Sequence, residues 1–387
     1  MKKIIAMLLV LAMALTLAAC GGKTETPATT QAPAADAPAT EAPAAPAAES
    51  VKVSVFWYDE SDVYLSSVRD AMNKELDALG NVEYDNQFAA NDQAKQLDQI
   101  KTAIAGGADI LVVNQVTSGA IDTAEDILAA AGSIPVVFFN RAIGTDGSEL
   151  PVLEANPTTC FIGTDAPAAG HMQGKMIGEY LMANYDDVDL NGDGIISYAM
   201  MKGDEANVEA IFRTQYGVED ANLVLTAGGK PALQYFDASN PDCYQVDQGG
   251  AWSAAAAKEY MDTNFVTYNE AAGNAIELVI CNNDGMAEGV VASLQEKGYN
   301  KEGAHLIPVF GVDATDNAKA LIADGAMTGT IKQDAVGMAV AVAQTVKAIA
   351  EGTAPVDALA GLSDERFSLA EDCASKLFVA YAPYTGE

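Results

Sequence analysis

The chain has 387 residues, half of them apolar, with 54 acidic residues against 21 basic ones and a formal net charge of −33. So acidic a chain is a poor partner for nucleic acid, whose binding proteins neutralise phosphates with clustered Lys and Arg. Five cysteines without a CxxC spacing, and two isolated histidines, His171 and His305, indicate neither a zinc site nor thiol redox chemistry.

Lys2 and Lys3 precede an almost wholly apolar run from Ile4 to Ala19. That is a charged start and a short apolar stretch, too short to span a bilayer comfortably, and residues 1–19 read as a signal peptide. The run ends Leu17-Ala-Ala-Cys20-Gly21, which resembles a bacterial lipoprotein lipobox. The resemblance implies cleavage before Cys20 and acylation of its thiol. A lipid there would anchor the protein to a membrane face without a spanning helix. Residues 20–50 continue as Ala, Pro, Thr and Glu with no large side chain to bury, and read as an extended tether. The folded body is expected from Val51 onward and is long enough for two lobes.

In that body apolar strand-like runs alternate with helical patterns. Strands are expected at Val51–Trp57, Val82–Gln87, Asp109–Val113 and Pro135–Phe139, with helices at Ser61–Leu79, Gln93–Ile104 and Ser118–Ala131. The pattern restarts after Thr159. Strands follow at Ile195–Met201, Asn222–Ala227, Leu278–Cys281 and Pro308–Gly311. The helices between and after them are Ala166–Ala183, Val208–Tyr216, Ser253–Asn264, Gly285–Lys297 and Ala335–Ala350. Such alternation means parallel sheets with crossover helices, here two doubly wound α/β lobes whose ligand sits beyond the carboxyl ends of the strands.

Those strand ends carry polar planar groups and aromatics. Trp57 leads into Tyr58, Asp59, Asp62 and Tyr64; Phe139 into Asn140-Arg141; Cys281 into Asn282-Asn283-Asp284; Val312 into Asp313. Taken one at a time, each Asn or Asp is as well explained as the cap of the next helix. As a set they suit a sugar, whose hydroxyls want carboxylates and amides while its apolar ring faces want flat aromatic surfaces.

A separate stretch, Asp189-Leu-Asn191-Gly-Asp193-Gly194-Ile195-Ile196-Ser197, sets three side-chain oxygens at alternate positions before a glycine turn. This is the first part of a calcium loop of the EF-hand kind. The twelfth position, where such a loop places a closing Glu, is Met200. A carboxylate must come from elsewhere, or the stretch is an acidic surface turn.

From Val51 to the C-terminus the chain resembles the galactose/glucose-binding proteins of sugar ABC transporters, within the pentose/hexose-binding family. The likeness rests on Tyr58–Arg69, Asn91-Asp-Gln93, Pro135–Asn140, Gly163-Thr-Asp165, Asp189–Gly194, Asn282-Asn-Asp284, Pro308–Asp313 and Gly329-Thr330. It implies a type I periplasmic binding protein fold with a three-segment hinge. Lobe one would be 51–163 plus 332–370, and lobe two 164–331 plus 371–387. It further implies sugar stacking on Tyr64, where Phe is usual, and on Trp252. Polar contacts would come from Asp62, Asn140, Arg213, Asn283 and Asp313, with Tyr58 near the cleft mouth. Asn207, Glu209 and Gln333 stand where the family has His, Asp and Asn, which leaves another hexose, a methyl-galactoside or a pentose open. For the loop, the resemblance implies a structural Ca²⁺ held by Asp189, Asn191, Asp193, the Ile195 carbonyl and Glu277, with Ser197 in place of a longer Gln.

The expected protein is thus a membrane-anchored, extracytoplasmic, monomeric solute-binding lipoprotein for galactose and/or glucose. It would serve an ABC permease and not be an enzyme. Residues 228–250 form an insertion relative to the family, with no role assigned by sequence. Two other classes are considered. A sugar-responsive repressor would need a basic helix-turn-helix at the N-terminus, where an export signal stands. A secreted glycosidase would need two carboxylates, such as Asp62 and Asp313, at a defined separation across one glycosidic bond.

Overall fold

The computed structural model describes residues 50–386. The signal peptide, Cys20 and nearly all of the tether lie outside the described residues. Among the described residues no helix is long and apolar enough to cross a membrane.

The first lobe is built on β1 (Val51–Trp57), α1 (Val63–Leu79), β2 (Val82–Phe88), α2 (Gln93–Ala105), β3 (Ile110–Val113), α3 (Ile121–Ala131), β4 (Val136–Phe139), α4 (Glu149–Ala155) and β5 (Thr159–Gly163). Strands β3, β4 and β5 are buried along their whole length. That is the condition under which a strand reads as a continuous apolar run, because helices cover both faces of a parallel sheet.

The second lobe contains α5 (Ala166–Val188), β6 (Ser197–Lys202), α6 (Val208–Ala227), β7 (Gln234–Tyr235), β8 (Gln245–Val246), α7 (Ala254–Thr267), β9 (Leu278–Cys281), α8 (Asp284–Lys297), β10 (Val309–Asp313), α9 (Asp316–Ala323) and β11 (Gly329–Gln333). The chain then returns to the first lobe through α10 (Ala335–Ala350), α11 (Pro355–Ala360), β12 (Phe367–Ala370) and β13 (Cys373–Val379). It ends in the second lobe with β14 (Tyr381–Tyr384). The two sheets have the orders β12-β13-β5-β4-β3-β1-β2 and β14-β11-β10-β9-β6-β7, with β8 also on β6. Only the β12–β13 and β11–β14 pairs run antiparallel.

Two expectations are corrected. The crossings fall near Thr164, Asp334 and Ala380. Residues 371–379, expected in lobe two, form β13 alongside β5 in the first sheet. The last crossing is delayed because β12 and β13 close a hairpin around Glu371-Asp372 before the chain leaves. Asn222–Ala227, expected as a strand, is the last part of α6. Gly217, Ala221 and Leu225 recur every four residues on its buried face, while Leu223 is 67% exposed. The insertion 228–250, to which sequence assigned no role, adds β7 and β8 to the sheet and packs Leu233 and Tyr235 into the core.

α5 and α6 lie unusually close. A Cβ built on Gly170 or Gly174 would stand 2.4 Å from the Phe212 carbonyl oxygen or 2.3 Å from that of Tyr216, and one on Gly178 would reach Val224. Glycine at these three positions lets the two backbones touch. α6 is thereby fastened to α5, which begins at the first crossing.

Candidate ligand-binding site

Between the lobes, at the carboxyl ends of both sheets, lies a cavity of about 380 Å³. That volume includes space open to solvent at the cleft mouth. All eleven expected residues line it: Tyr58, Asp62, Tyr64, Asn140, Asn207, Glu209, Arg213, Trp252, Asn283, Asp313 and Gln333. One further residue, Arg141, completes the wall.

Capping and cavity lining turn out to be the same act. Asp62 caps α1, its Oδ1 accepting from the Leu65 N–H at 2.8 Å while Oδ2 accepts from the Tyr58 hydroxyl at 2.7 Å. Asn207 and Asn283 cap α6 and α8 through Oδ1, which leaves each NH₂ group for a ligand. Because the cap fixes each side chain's rotamer, the polar group facing the cavity is already oriented.

Arg213, one helical turn beyond Glu209, is 3% exposed. It donates to the Asn282 carbonyl at 2.9 Å, to Gln333 Oε1 at 3.0 Å and to the Tyr381 hydroxyl at 3.1 Å. Tyr381 in turn donates to the Thr164 hydroxyl, so the third crossing is bonded to the first. Trp252 lies against Gly203, where a Cβ would stand 2.1 Å from the indole, and the Arg213 guanidinium is 5.7 Å from its ring centroid. Asp247, at the end of the insertion, positions this wall by accepting from the Gly249 and Ser253 N–H groups. Asn140, Trp252 and Asp313 all have positive φ. Non-glycine residues rarely take that conformation, and it concentrates where a site holds side chains against local preference.

Two residues, Arg141 and Asn114, were given no part in the site by the sequence reading. Arg141 stacks its guanidinium 4.0 Å from the Tyr58 ring centroid and pairs with Asp204 of the other lobe at 3.3 Å. A second bond across the cleft runs from Asn91 Nδ2 to the Gly249 carbonyl at 3.0 Å. Asn114, fully buried at the end of β3, donates to the Phe139 carbonyl and to Asn140 Oδ1, both at 3.1 Å. Both carry the strand-end signal already used for Asn140: Arg141 follows it directly, and Asn114 follows Val113.

The cavity combines buried acids with unpaired donors. Burial, then the neighbouring Asp284 charge, holds the Asp313 carboxyl well above the usual carboxylate range, although Arg213 opposes the shift. Burial likewise raises Glu209, against the opposing charges of Arg213 and Arg141. The Tyr64 hydroxyl, Arg141 Nε, Arg213 Nε and Gln333 Nε2 are buried and have no hydrogen-bond partner. Buried polar groups are mostly paired in folded proteins, and four unpaired donors on residues that line one cavity suit a ligand rich in oxygen.

In the loop, Asp189 accepts from the Gly192 and Gly194 N–H groups and Asp193 from that of Ile195. Glu277 reaches it from the start of β9, accepting from the Asn191 and Ser197 N–H groups at 3.1 and 2.9 Å. The Ser197 hydroxyl donates to the Ala275 carbonyl instead. Among the described residues no three His, Cys, Asp or Glu side chains are drawn into one cluster that could hold a metal. The donor set is nonetheless hard oxygen throughout. Burial, and secondarily the charge of Asp189, holds the Glu277 carboxyl above its usual range, a strain that a cation between them would relieve.

Two doubly wound lobes with a polar, aromatic-walled cavity at their strand ends define a two-lobed α/β binding protein. The model of the periplasmic binding protein domain family matches residues 53–354, and the chain belongs to that family. A D-galactose/methyl-galactoside binding periplasmic protein of Haemophilus influenzae is 32% identical over 304 residues, 78% of this chain and 82% of that one. A putative rhizopine-binding protein of Rhizobium meliloti is 28% identical over 291 residues, 75% and 81% of the two chains. Among solved structures, an ABC transporter solute-binding protein of Clostridium phytofermentans with bound β-D-glucose has a TM-score of 0.64 at 22% identity. It covers 87% of this chain and 94% of that one. One from Bacillus halodurans with bound myo-inositol has a TM-score of 0.62 at 20% identity, covering 88% and 96%. At those identities the solved structures establish the fold alone.

Proposed function

We propose that this protein is an exported, lipid-anchored solute-binding protein that captures a monosaccharide, D-galactose and/or D-glucose, and hands it to an ABC permease. The observation that carries the reading is the convergence of aromatic, acidic and unpaired donor groups from both lobes on one interlobe cavity. Sugar bound to one lobe recruits the other, and the closed form docks on the permease. A few kcal/mol of differential affinity for the closed state shifts that population strongly. The galactoside-binding relative favours a hexose. Asn207, Glu209 and Gln333, three polar positions that depart from the galactose/glucose pattern, leave another hexose, a methyl-galactoside or a pentose as the second reading. Calorimetric titration with D-galactose, D-glucose, L-arabinose, D-ribose and myo-inositol decides between them. Failure of every one to bind would overturn the proposal, and turnover of an aryl-galactoside would favour a glycosidase.

The buried acids give binding a pH dependence. In the protein alone, Asp313 and Glu209 titrate above the usual carboxylate range. A sugar hydroxyl donating to either carboxylate favours the charged form, so binding releases protons. Affinity then rises with pH and falls as the pH drops through these raised values. Titrations at a series of pH values are expected to show weakening on acidification, with proton release detectable in buffers of different ionisation enthalpy.

We further propose that the loop binds a structural Ca²⁺ through Asp189, Asn191, Asp193, the Ile195 carbonyl and Glu277. A chelator is expected to lower the melting temperature while leaving sugar binding intact under mild conditions. An unchanged melting curve, with no calcium in the purified protein, would remove the ion.

A further inference from the structure

The wall that separates the sugar cavity from the groove beside it is formed by Tyr64, Asp313 and Gln333, which line both. Two of these three carry an unpaired donor. Tyr64 is 6% exposed, and its hydroxyl is buried without a partner. Gln333 is 3% exposed: Arg213 occupies its Oε1 at 3.0 Å, and its Nε2 has no partner.

A phenylalanine at position 64 would give the same flat surface for stacking and leave no polar group stranded. A buried hydroxyl without a partner destabilises a fold. Other polar groups stand nearby, since Asp313, Tyr381, Arg213 and Asp334 are its charged or ionisable neighbours. Yet the Tyr381 hydroxyl is committed to Thr164 and Arg213, and the Arg213 Nη groups to Asn282, Gln333 and Tyr381. Neither these groups nor the Asp313 and Asp334 carboxylates make a hydrogen bond to the Tyr64 hydroxyl in this arrangement.

We infer that the Tyr64 hydroxyl, seconded by the Gln333 amide, is a specificity element. It reads one hydroxyl on the edge of the bound sugar nearest this wall and selects against ligands that lack it. Recognition through a buried hydrogen-bonding group discriminates strongly, because an analogue without the matching oxygen leaves that group unsatisfied. Aromatic stacking alone would tolerate such an analogue.

The inference rests on the sugar-binding reading, and one experiment separates the two. Wild-type protein and Tyr64→Phe are titrated with D-galactose, D-glucose and the monodeoxy forms of the tighter binder, and both proteins are melted without ligand. Tyr64→Phe is expected to melt no lower than wild type, because it removes a buried unpaired hydroxyl and keeps the ring. Its affinity for the parent sugar is expected to fall about 10- to 100-fold. For one monodeoxy sugar, wild type and variant are expected to bind alike. A lower melting temperature would make the hydroxyl structural and overturn the inference. Unchanged affinity for the parent sugar, or an equal loss for every deoxy sugar, would also overturn it. If wild type binds none of the sugars, the sugar reading fails and this inference with it.

Discussion

Arg213→Met is expected to abolish measurable sugar binding and to destabilise the ligand-free protein by about 3 kcal/mol or more. Three hydrogen bonds are lost at once, to Asn282, Gln333 and Tyr381. The larger part of the effect comes from what remains. Asp313 and Glu209 stay buried, and the cation that opposes their raised pKa values is gone. The sign of the pH dependence follows. A carboxyl whose folded pKa lies above its unfolded value costs stability at neutral pH. That cost disappears as the pH falls below both values. The defect in Arg213→Met should therefore be greatest at neutral pH and shrink on acidification. Thermal melts across pH check this; a defect independent of pH would mean that the two acids find other donors.

The second large effect belongs to the Trp252 wall. Trp252→Ala should weaken sugar binding by roughly 2 kcal/mol or more, the range of a buried aromatic anchor. The fluorescence response to sugar should also vanish. Of the two tryptophans in the chain, Trp57 is fully buried in the first lobe and edge-on to Phe139. Its emission should not follow the ligand. Gly203→Ala provides the complementary test. Its Cβ would fall 2.1 Å from the indole, so Trp252 must move although its chemistry is unchanged. We expect most of the affinity loss of Trp252→Ala at an overpacking cost of about 1–3 kcal/mol in stability. Wild-type affinity in both variants would take Trp252 out of the binding wall.

How much of this was legible in the sequence follows from the kind of signal each part emits. Fully buried parallel strands such as β3, β4 and β9 are uninterrupted apolar runs, and they were located to within a residue or so. The end of α6 was misread because Asn222–Ala227 is a short apolar run, and its helical periodicity shows only when joined to Gly217 and Ala221. β13 was missed for the opposite reason. Its burial alternates along Cys373–Val379, but Ser375 faces inward while Ala374 and Phe378 face outward, so no apolar/polar alternation marks the strand, and this moved the third crossing by about ten residues.

The cavity residues were legible as a set because family resemblance fixed positions that local chemistry left ambiguous. Asp62, Asn207 and Asn283 do cap helices, as each would suggest alone, yet they also face the ligand site. Arg141 was named at the end of its strand but given no part in the site. Its burial depends on Tyr58 and on Asp204 in the other lobe, a pairing that no local pattern encodes.

The chain of hydroxyls through Tyr381 has a kinetic meaning. Thr164, Tyr381 and Arg213 join two of the three crossing segments to a cavity-lining guanidinium, so on the proposed function the hinge and the solute contact are linked. Letting go and swinging open are then one event. The residence time of any solute should be governed by how fast this joint yields, and loosening it through Tyr381→Phe should speed the escape of every accepted sugar by a similar factor.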